Sequence, residues 1–206
     1  MKVIAINGSP RKNGNTLFAL NTVGESLLEE GIDFEIIQVG DKKITGCISC
    51  NACISTGRCV FNDELFDSWM EKLYQADGII LGSPVYYGGI NGTMKSFLDR
   101  AFFQSARRLR LKPAAVVAAL RRSGGLAAFD QLNHYLTISE MPVVSSQYWN
   151  VIHGRAEGEA EGDYEAASIL KALGKNMAWL IKMIESTKDT IPKPVKQEIV
   201  RTNFIR

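Results

Sequence analysis

Short apolar runs alternate along this chain with longer segments in which apolar residues recur every three or four positions. The apolar runs predict buried strands over 3–7, 34–39, 78–82 and 114–120, with a short fifth strand near 143–144. The segments with helical spacing predict helices over 16–30, 64–75, 93–106, 126–138 and 164–185. Gly31 closes the first helix, and Asn62 or Asp63 is suited to cap the second. Strand and helix are therefore predicted to alternate through most of the chain.

Strands that are apolar along their whole length are typical of a parallel sheet covered by helices on both faces. Five such strands favour a flavodoxin-like, three-layer α/β sandwich with a parallel sheet of order 2-1-3-4-5. Within a domain predicted to span 1–187, a cysteine-rich segment over 41–61 is inserted after the second strand. Residues 188–206 are predicted to form an extended C-terminal arm, which either packs on a neighbouring subunit or ends in a frayed terminus.

Composition and charge exclude several classes of function. The 206 residues are 46% hydrophobic and 22% charged, and the net charge of +2 gives no bulk electrostatic reason to expect nucleic acid or a membrane surface as partner. No apolar run is long enough to span a bilayer, and the apolar N-terminus is too short for a signal peptide. We therefore expect a cytoplasmic protein, in which clustered cysteines more often bind metal or act in redox chemistry than form disulfides.

The loop after the first strand has the properties of a phosphate site. It runs from Gly8 to Thr16, leaves a strand and opens a helix, so backbone N–H groups and the positive end of that helix would face an anion. Its glycines stand only at 8 and 14, which matches neither the dinucleotide-binding motif nor the ATP-binding motif. An ordinary polar turn is the alternative. Ser9, Asn15 and Thr16 can add side-chain donors to such a site, and Arg11 and Lys12 supply positive charge.

A second loop, Gly82-Ser83-Pro84-Val85-Tyr86-Tyr87-Gly88-Gly89, follows the third strand, and Met94-Lys95-Ser96-Phe97-Leu98-Asp99-Arg100 comes after it. Together with Gly8-Ser9-Pro10-Arg11 and Asn13-Gly14-Asn15-Thr16, these segments resemble the NADPH-dependent FMN reductases over about residues 1–145. The resemblance implies FMN as cofactor, with its ring at Pro84, Val85, Tyr86, Tyr87 and Gly88. It places the FMN phosphate at the first loop, with Ser9, Arg11, Asn13, Asn15 and Thr16 as its ligands. It also places Arg122, Ser123 and Gly124, which follow the fourth strand, beside the flavin, although a solvated surface arginine is an equally fair interpretation of Arg122.

All four cysteines of the chain fall within thirteen residues, as Cys47, Cys50, Cys53 and Cys59. Three cysteines at this spacing are similar to the run by which bacterial ferredoxins hold a [4Fe–4S] cluster. A zinc ion would accept the same four thiolates, and free or disulfide-forming thiols are the remaining alternative. Inserted after the second strand of such a domain, the segment resembles the iron–sulfur flavoproteins. That resemblance implies one [4Fe–4S] cluster beside FMN in a homo-oligomer, here a homodimer or homotetramer.

The function expected from the sequence is that of an FMN-dependent oxidoreductase that passes electrons to a small-molecule acceptor. The electrons would come from NAD(P)H or from a small carrier such as ferredoxin, and they would pass between the cluster and the flavin. Because the cofactors perform the redox chemistry, no catalytic side chain is expected. One alternative is an NAD(P)H:FMN or quinone reductase without metal at the cysteines. A non-catalytic flavodoxin-like electron carrier, or a zinc-stabilised binding module, is the alternative from another class.

Overall fold

The structure is a computed structural model that describes residues 1–61 and 63–200 together with Thr202 and Phe204. Asn62, one of the two predicted helix caps, lies outside the described residues, as do four positions of the predicted C-terminal arm. Helices are found at α1 (Asn15–Glu29), α2 (Ala52–Thr56), α3 (Glu64–Gln75), α4 (Gly92–Leu109), α5 (Gly125–Ile138) and α6 (Tyr164–Thr187). A short 3-10 helix, Glu159–Gly162, precedes α6. No described helix is both long and apolar enough to cross a bilayer.

The strands form one predominantly parallel sheet. They are β1 (Lys2–Asn7), β2 (Asp33–Gln38), β3 (Gly78–Tyr86), β4 (Gly89–Ile90), β5 (Ala114–Leu120) and β6 (Val151–His153). The parallel strands lie in the order β2-β1-β3-β5-β6, and the two-residue β4 pairs antiparallel with the end of β3. Leaving β4 aside, this is the predicted order 2-1-3-4-5, so the predicted flavodoxin-like fold is confirmed.

Burial of the central strands on both faces explains their unbroken apolar sequences. Every residue of β5 is buried, because helices cover the sheet from two sides. Alternate residues of each strand contribute to two separate cores. One core includes α3, α4 and α5, and the other includes α1 and α6. Helices α1 and α6 approach each other closely at Gly174 of α6. A Cβ added there would lie 2.7 Å from both the Ser26 side chain and the Val23 carbonyl oxygen of α1.

The fifth parallel strand is not where the sequence predicted it. Val143 makes only an isolated bridge to Ala114, at the beginning of β5. The chain then leaves the sheet and returns as β6, whose residues 151–153 pair with the carboxyl end of β5. The apolar pair at 143–144 gave the stronger sequence signal, yet the position of the strand is set by pairing at the other end of β5.

A tight hairpin extends β3 beyond the sheet. Its two central residues, Tyr87 and Gly88, both have positive φ, 51° and 76°, which is the backbone of a type I′ turn. Tyr86 pairs with Gly89 on either side of this turn. The hairpin places Tyr87 at its tip, fully exposed, beside the carboxyl ends of β1 and β5.

Candidate functional site

The loops that follow four parallel strands meet at the carboxyl edge of the sheet and enclose a cleft of about 190 Å³. A crevice at this edge is where open α/β sheets bind their ligands. The residues lining it come from the first loop (Ser9, Arg11, Gly14, Asn15, Thr16), the second (Pro84, Val85, Tyr86), the end of β5 (Ala119, Leu120, Arg121) and the loop after β6 (Gly154, Arg155). The structure thus brings together two loops that are about seventy residues apart in sequence.

The first loop is held in place by hydrogen bonds from its neighbours. The Gly8 amide donates to the Gly82 carbonyl at 2.8 Å, and the buried Asn91 side chain donates to the Gly8 carbonyl at 2.6 Å. Asn91 also caps α4, because its Oδ1 accepts from the Met94 amide. One buried amide therefore ties the phosphate-type loop to the helix that follows the second loop.

The amino end of α1 is open towards the cleft. Gly14 occupies the N-cap position without a side-chain cap, and no acidic residue lies in the first turn. An uncapped helix end leaves backbone N–H groups available to an anion. Arg11 and Arg155 add positive charge at the same cleft, and the Arg11 guanidinium donates to the Arg155 carbonyl at 2.9 Å. This donor set fits a phosphate group.

Asn15 joins the first loop to the loop after β6. Its Nδ2 donates to the Ala156 carbonyl at 3.0 Å, and its Oδ1 accepts from the Ala160 amide at 3.2 Å. A Cβ on Gly154 would lie only 2.6 Å from the Asn15 Nδ2, so the two loops are in close contact. Asn13, two positions earlier, is exposed and does not line the cleft.

Of the second loop, Pro84, Val85 and Tyr86 line the cleft, whereas Tyr87 and Gly88 form the hairpin tip beyond it. The Tyr86 side chain is about half exposed, and the Tyr87 side chain is fully exposed. Flat aromatic faces at the mouth of a cleft are suited to stack on a planar ring.

The loop after β5 divides between two cavities. Arg121 lines the cleft, but Arg122, Ser123 and Gly124 line a larger cavity on the other side of the same loop. Gly124 nevertheless touches the second loop, since its Cβ position is 3.0 Å from the Gly88 Cα. Its φ of 89° favours glycine.

Gly154 and Arg155 line the cleft but were not predicted from the sequence. They follow β6, and a strand misplaced to 143–144 made their loop appear remote. The available signal was positional, because any loop after a parallel strand opens at the same edge of the sheet.

All four cysteines line one small hollow of about 20 Å³, together with Arg100, Phe103 and Gln104 of α4. Their side chains are free thiols, exposed at Cys47 and Cys50 and half-buried at Cys53 and Cys59. The Ser49 amide donates to the Cys47 Sγ at 3.4 Å. Ser49 itself has a positive φ of 56°, as does Asn51 at 61°, so the backbone winds tightly around the hollow.

The surroundings of the hollow affect the ionisation of the Cys53 thiol. Partial burial raises the pKa of the Cys53 thiol, and the three other cysteines raise it further because a second negative charge nearby is unfavourable. In the conformation described, no three metal-ligating side chains among the described residues stand close enough to coordinate one ion. The four thiols that line this hollow nevertheless fit a thiolate-ligated centre in chemistry, and coordination would draw the sulfurs closer together.

Arg100 forms the floor of the hollow. Its side chain is almost completely buried, and it donates from Nε to the Cys59 Sγ at 3.1 Å and from Nη1 to the Asp63 carboxylate at 3.0 Å. It also donates to the Phe61 carbonyl, and the guanidinium lies 3.7 Å above the Phe66 ring. In the sequence Arg100 stands out only as part of the motif that ends there, and no local signal connects it to the cysteines.

Comparison with known proteins agrees with this geometry. Residues 1–156 match the family model described as NADPH-dependent FMN reductase. An iron-sulfur flavoprotein of Methanocaldococcus jannaschii is 36% identical over 193 residues, which cover 90% of this chain and 100% of that protein. An iron-sulfur flavoprotein of Archaeoglobus fulgidus is 33% identical, with 92% of this chain and 98% of that protein covered.

Among solved structures, a flavodoxin from the domain Archaea superposes with a TM-score of 0.60 at 18% identity. The match covers 88% of this chain and 99% of that chain. At this level of identity the likeness concerns the fold.

Proposed function

The chain belongs to the NADPH-dependent FMN reductase family and is an FMN-dependent oxidoreductase, and from that premise we propose that it works as an iron–sulfur flavoprotein. In this proposal Cys47, Cys50, Cys53 and Cys59 hold a [4Fe–4S] cluster. The flavin held by the cleft residues would supply the redox chemistry between the cluster and a small-molecule acceptor. The observation that carries the proposal is the convergence of all four thiols on one hollow against α4.

The cleft residues would position the flavin. The open end of α1, with Ser9, Thr16 and Arg11, is suited to bind the phosphate of FMN. Pro84, Val85 and Tyr86 would lie along the ring, where backbone groups can hydrogen-bond its polar edge. In this proposal the side chains bind and orient the cofactor, and no protein side chain acts as a catalytic acid or base.

Helix α4 connects the two candidate cofactor sites. Asn91, at its amino end, holds the phosphate-type loop, and Arg100 contacts Cys59. The rise of an α-helix separates these two positions by about 14 Å along its axis. A rigid element of that length would hold the two candidate cofactor sites in a fixed relative position.

The remaining parts of the proposal are the electron donor and the assembly. NAD(P)H or a ferredoxin-like carrier would supply the electrons, and the protein would assemble as a homodimer or homotetramer. The exposed apolar side chains of the C-terminal arm, among them Val195 and Val200, are suited to such an assembly.

An anaerobic preparation tests the proposal directly. Iron, acid-labile sulfide and zinc are measured on the purified protein together with its visible and electron paramagnetic resonance spectra. We expect flavin bands, a broad cluster absorption, and iron and sulfide in equal amounts. In the Cys53→Ala variant the cluster absorption, the iron and the sulfide should be lost, and the flavin bands should remain. Flavin without iron or sulfide, even after anaerobic reconstitution, would refute the cluster.

A second candidate is an NAD(P)H:FMN reductase whose cysteines bear no metal. It is favoured by one observation, namely that the sulfurs do not reach coordinating geometry among the described residues. Steady NADPH oxidation that is unchanged in the Cys53→Ala variant would support it.

A further inference from the structure

A second cavity, of about 440 Å³, lies beside the cleft and not in it. It is bounded by the amino ends of α5 and α6 and by the edge strand β6. Its volume is in the usual range for cavities that bind small organic molecules. The proposed function places no group in it, although Arg122, Ser123 and Gly124, which the family resemblance sets beside the flavin, line it.

The cavity and the cleft share a wall. Leu120, at the end of β5, lines both. The next two residues divide between them, with Arg121 in the cleft and Arg122 in the cavity. The loop after β6 divides in the same way, since His153 lines the cavity and Gly154 lines the cleft. A molecule in the cavity would therefore be separated from the contents of the cleft by one layer of residues.

The cavity offers a flat aromatic surface. Tyr148 and Trp149 lie in the segment that leaves the sheet before β6, and their rings meet edge to face with centroids 4.6 Å apart. Both remain about half exposed or more, although they are large enough to be buried in a core. Leu126 and Ile169 provide apolar contacts from the two helices. Such walls favour a planar ring.

Several hydrogen-bond donors line one side of the cavity. Gly124 caps α5 without a side-chain hydrogen bond, and no acid lies in the first turn, so the amides of that turn are open to an acceptor oxygen. Arg122 and Ser123 add donors from the same loop.

The charged groups at the opposite wall are partly paired. The Nδ1 of His153 contacts the Asp163 carboxylate at 3.0 Å, which leaves Nε2 as the second polar atom of that ring. The exposed carboxylate of Glu165 stands at the margin and would repel a strongly anionic ligand. A neutral ring with oxygen acceptors satisfies both sets of groups.

We propose that this cavity is a second ligand site that binds a neutral, planar aromatic compound with carbonyl oxygens, of the quinone type. Its ring stacks on Trp149, and its oxygens accept from Arg122 and from the open end of α5. The assignment of this cavity as the site of the electron acceptor rests on the proposed function. Binding of the compound itself does not depend on the cysteines or on the flavin.

Duroquinone is a suitable probe because all its ring positions are methylated, so it does not arylate thiols. It is titrated anaerobically into the oxidised, FMN-loaded protein while tryptophan fluorescence is recorded. We expect saturable quenching that persists in Trp179→Phe, an exposed tryptophan on α6 outside the cavity, and is lost in Trp149→Phe. In equilibrium dialysis, Trp149→Ala and Arg122→Gln should each weaken binding by about ten-fold.

Nuclear magnetic resonance gives an independent readout, because His134 and His153 are the only histidines. The ring signals of His153 should shift on addition of duroquinone, and those of His134 should not.

Three results would overturn the proposal. Quenching that survives in Trp149→Phe places the probe elsewhere. If duroquinone binds to the flavin-free protein and added FMN abolishes this binding, the cavity is the site of the flavin ring. Absence of binding in a sample whose FMN and iron contents are normal removes the ligand site and leaves the proposed function intact.

Discussion

The Nε atom of Arg100 lies 3.1 Å from the Sγ atom of Cys59, beneath the hollow that the four cysteines share. A buried guanidinium is costly unless its donors are paired. Here they are paired with a sulfur, the Asp63 carboxylate and the Phe61 carbonyl. Helix α4 thus presents a fixed positive charge and an N–H donor to one corner of the cysteine segment.

Replacing Arg100 by Lys or Met should lower the reduction potential of the proposed cluster. Hydrogen bonds to the sulfurs and nearby positive charge both favour the reduced, more negative state. Lys retains the charge without the planar fork and should have an intermediate effect, while Met removes both. Potentiometric titration followed by electron paramagnetic resonance measures the difference. Arg58→Gln is the matched control, because it removes an exposed arginine from the same segment.

The same substitutions distinguish an effect of Arg100 on the reduction potential from an effect on the stability of the fold. Removing the guanidinium leaves the Phe61 carbonyl and Asp63 without their partner, which should lower the free energy of unfolding by about 2 kcal/mol. A variant that is less stable but has the same reduction potential as the unmodified protein would show that Arg100 does not control the potential of the proposed cluster. A lowered potential in Arg100→Lys with near-normal stability would show that it does.

Asn15→Asp should weaken FMN binding far more than Asn13→Asp. Asn15 is buried in the cleft wall, and its Nδ2 donates to the Ala156 carbonyl. A carboxylate there would face that carbonyl oxygen and repel a bound phosphate, at a cost on the order of 2 kcal/mol, roughly thirty-fold in the dissociation constant. Asn13 is on the same loop but exposed, so a charge there is screened by solvent. Quenching of FMN fluorescence measures both constants, and equal effects would argue against the assigned phosphate site.

The contrast between Asn13 and Asn15 illustrates what the sequence could supply. Local signals were sufficient for α3, where Asp63 accepts from the Phe66 amide at the predicted start, and for the wholly apolar β5. The spacing of the first loop identified candidate phosphate ligands but not which of them face inward. That choice depends on contacts with residues 154–160, which are remote in sequence.

The misplaced fifth strand had a larger consequence. Residues 151–153 form too short a run to stand out, and their pairing with β5 is a tertiary effect. Once that strand is in place, Gly154 and Arg155 enter the cleft, and Tyr148 and Trp149 flank a cavity. The position of Arg100 under Cys59 was likewise unpredictable, because it requires the cysteine segment to fold back on α4.

Tyr87→Asn should leave the hairpin as stable as before or more so, and it should weaken FMN binding. Tyr87 occupies the first central position of a type I′ turn, with φ of 51°, where Asn is preferred to a bulky residue. A strained, fully exposed tyrosine is retained at the cost of about 1 kcal/mol. Tyr87→Phe keeps the ring and should bind FMN normally. If Tyr87→Asn binds FMN as tightly as the unmodified protein, the ring takes no part in the site.

The last prediction concerns acid stability at the amino end of α6. Asp163 accepts from the Ala166 amide at 3.1 Å and from the His153 amide at 2.9 Å, and it also pairs with the His153 ring. Burial alone would raise the pKa of Asp163, but these hydrogen bonds outweigh burial and hold the pKa below its usual value. The folded state therefore prefers the carboxylate. Its contribution to stability is present above about pH 4, the ordinary value for an unfolded Asp, and is lost as the pH falls through the lower folded value.

Asp163→Asn should accordingly lower the free energy of unfolding by about 1 kcal/mol at neutral pH, because the amide keeps one acceptor for the helix cap but cannot pair with His153. The difference from the unmodified protein should shrink as the pH is taken below about 4, where Asp163 itself becomes protonated. Urea denaturation at a series of pH values measures it. Asp130→Asn, an exposed aspartate on α5, controls for the loss of one negative charge. A difference that stays constant down to the acid limit would mean that the Asp163 carboxylate does not stabilise the fold through its charge.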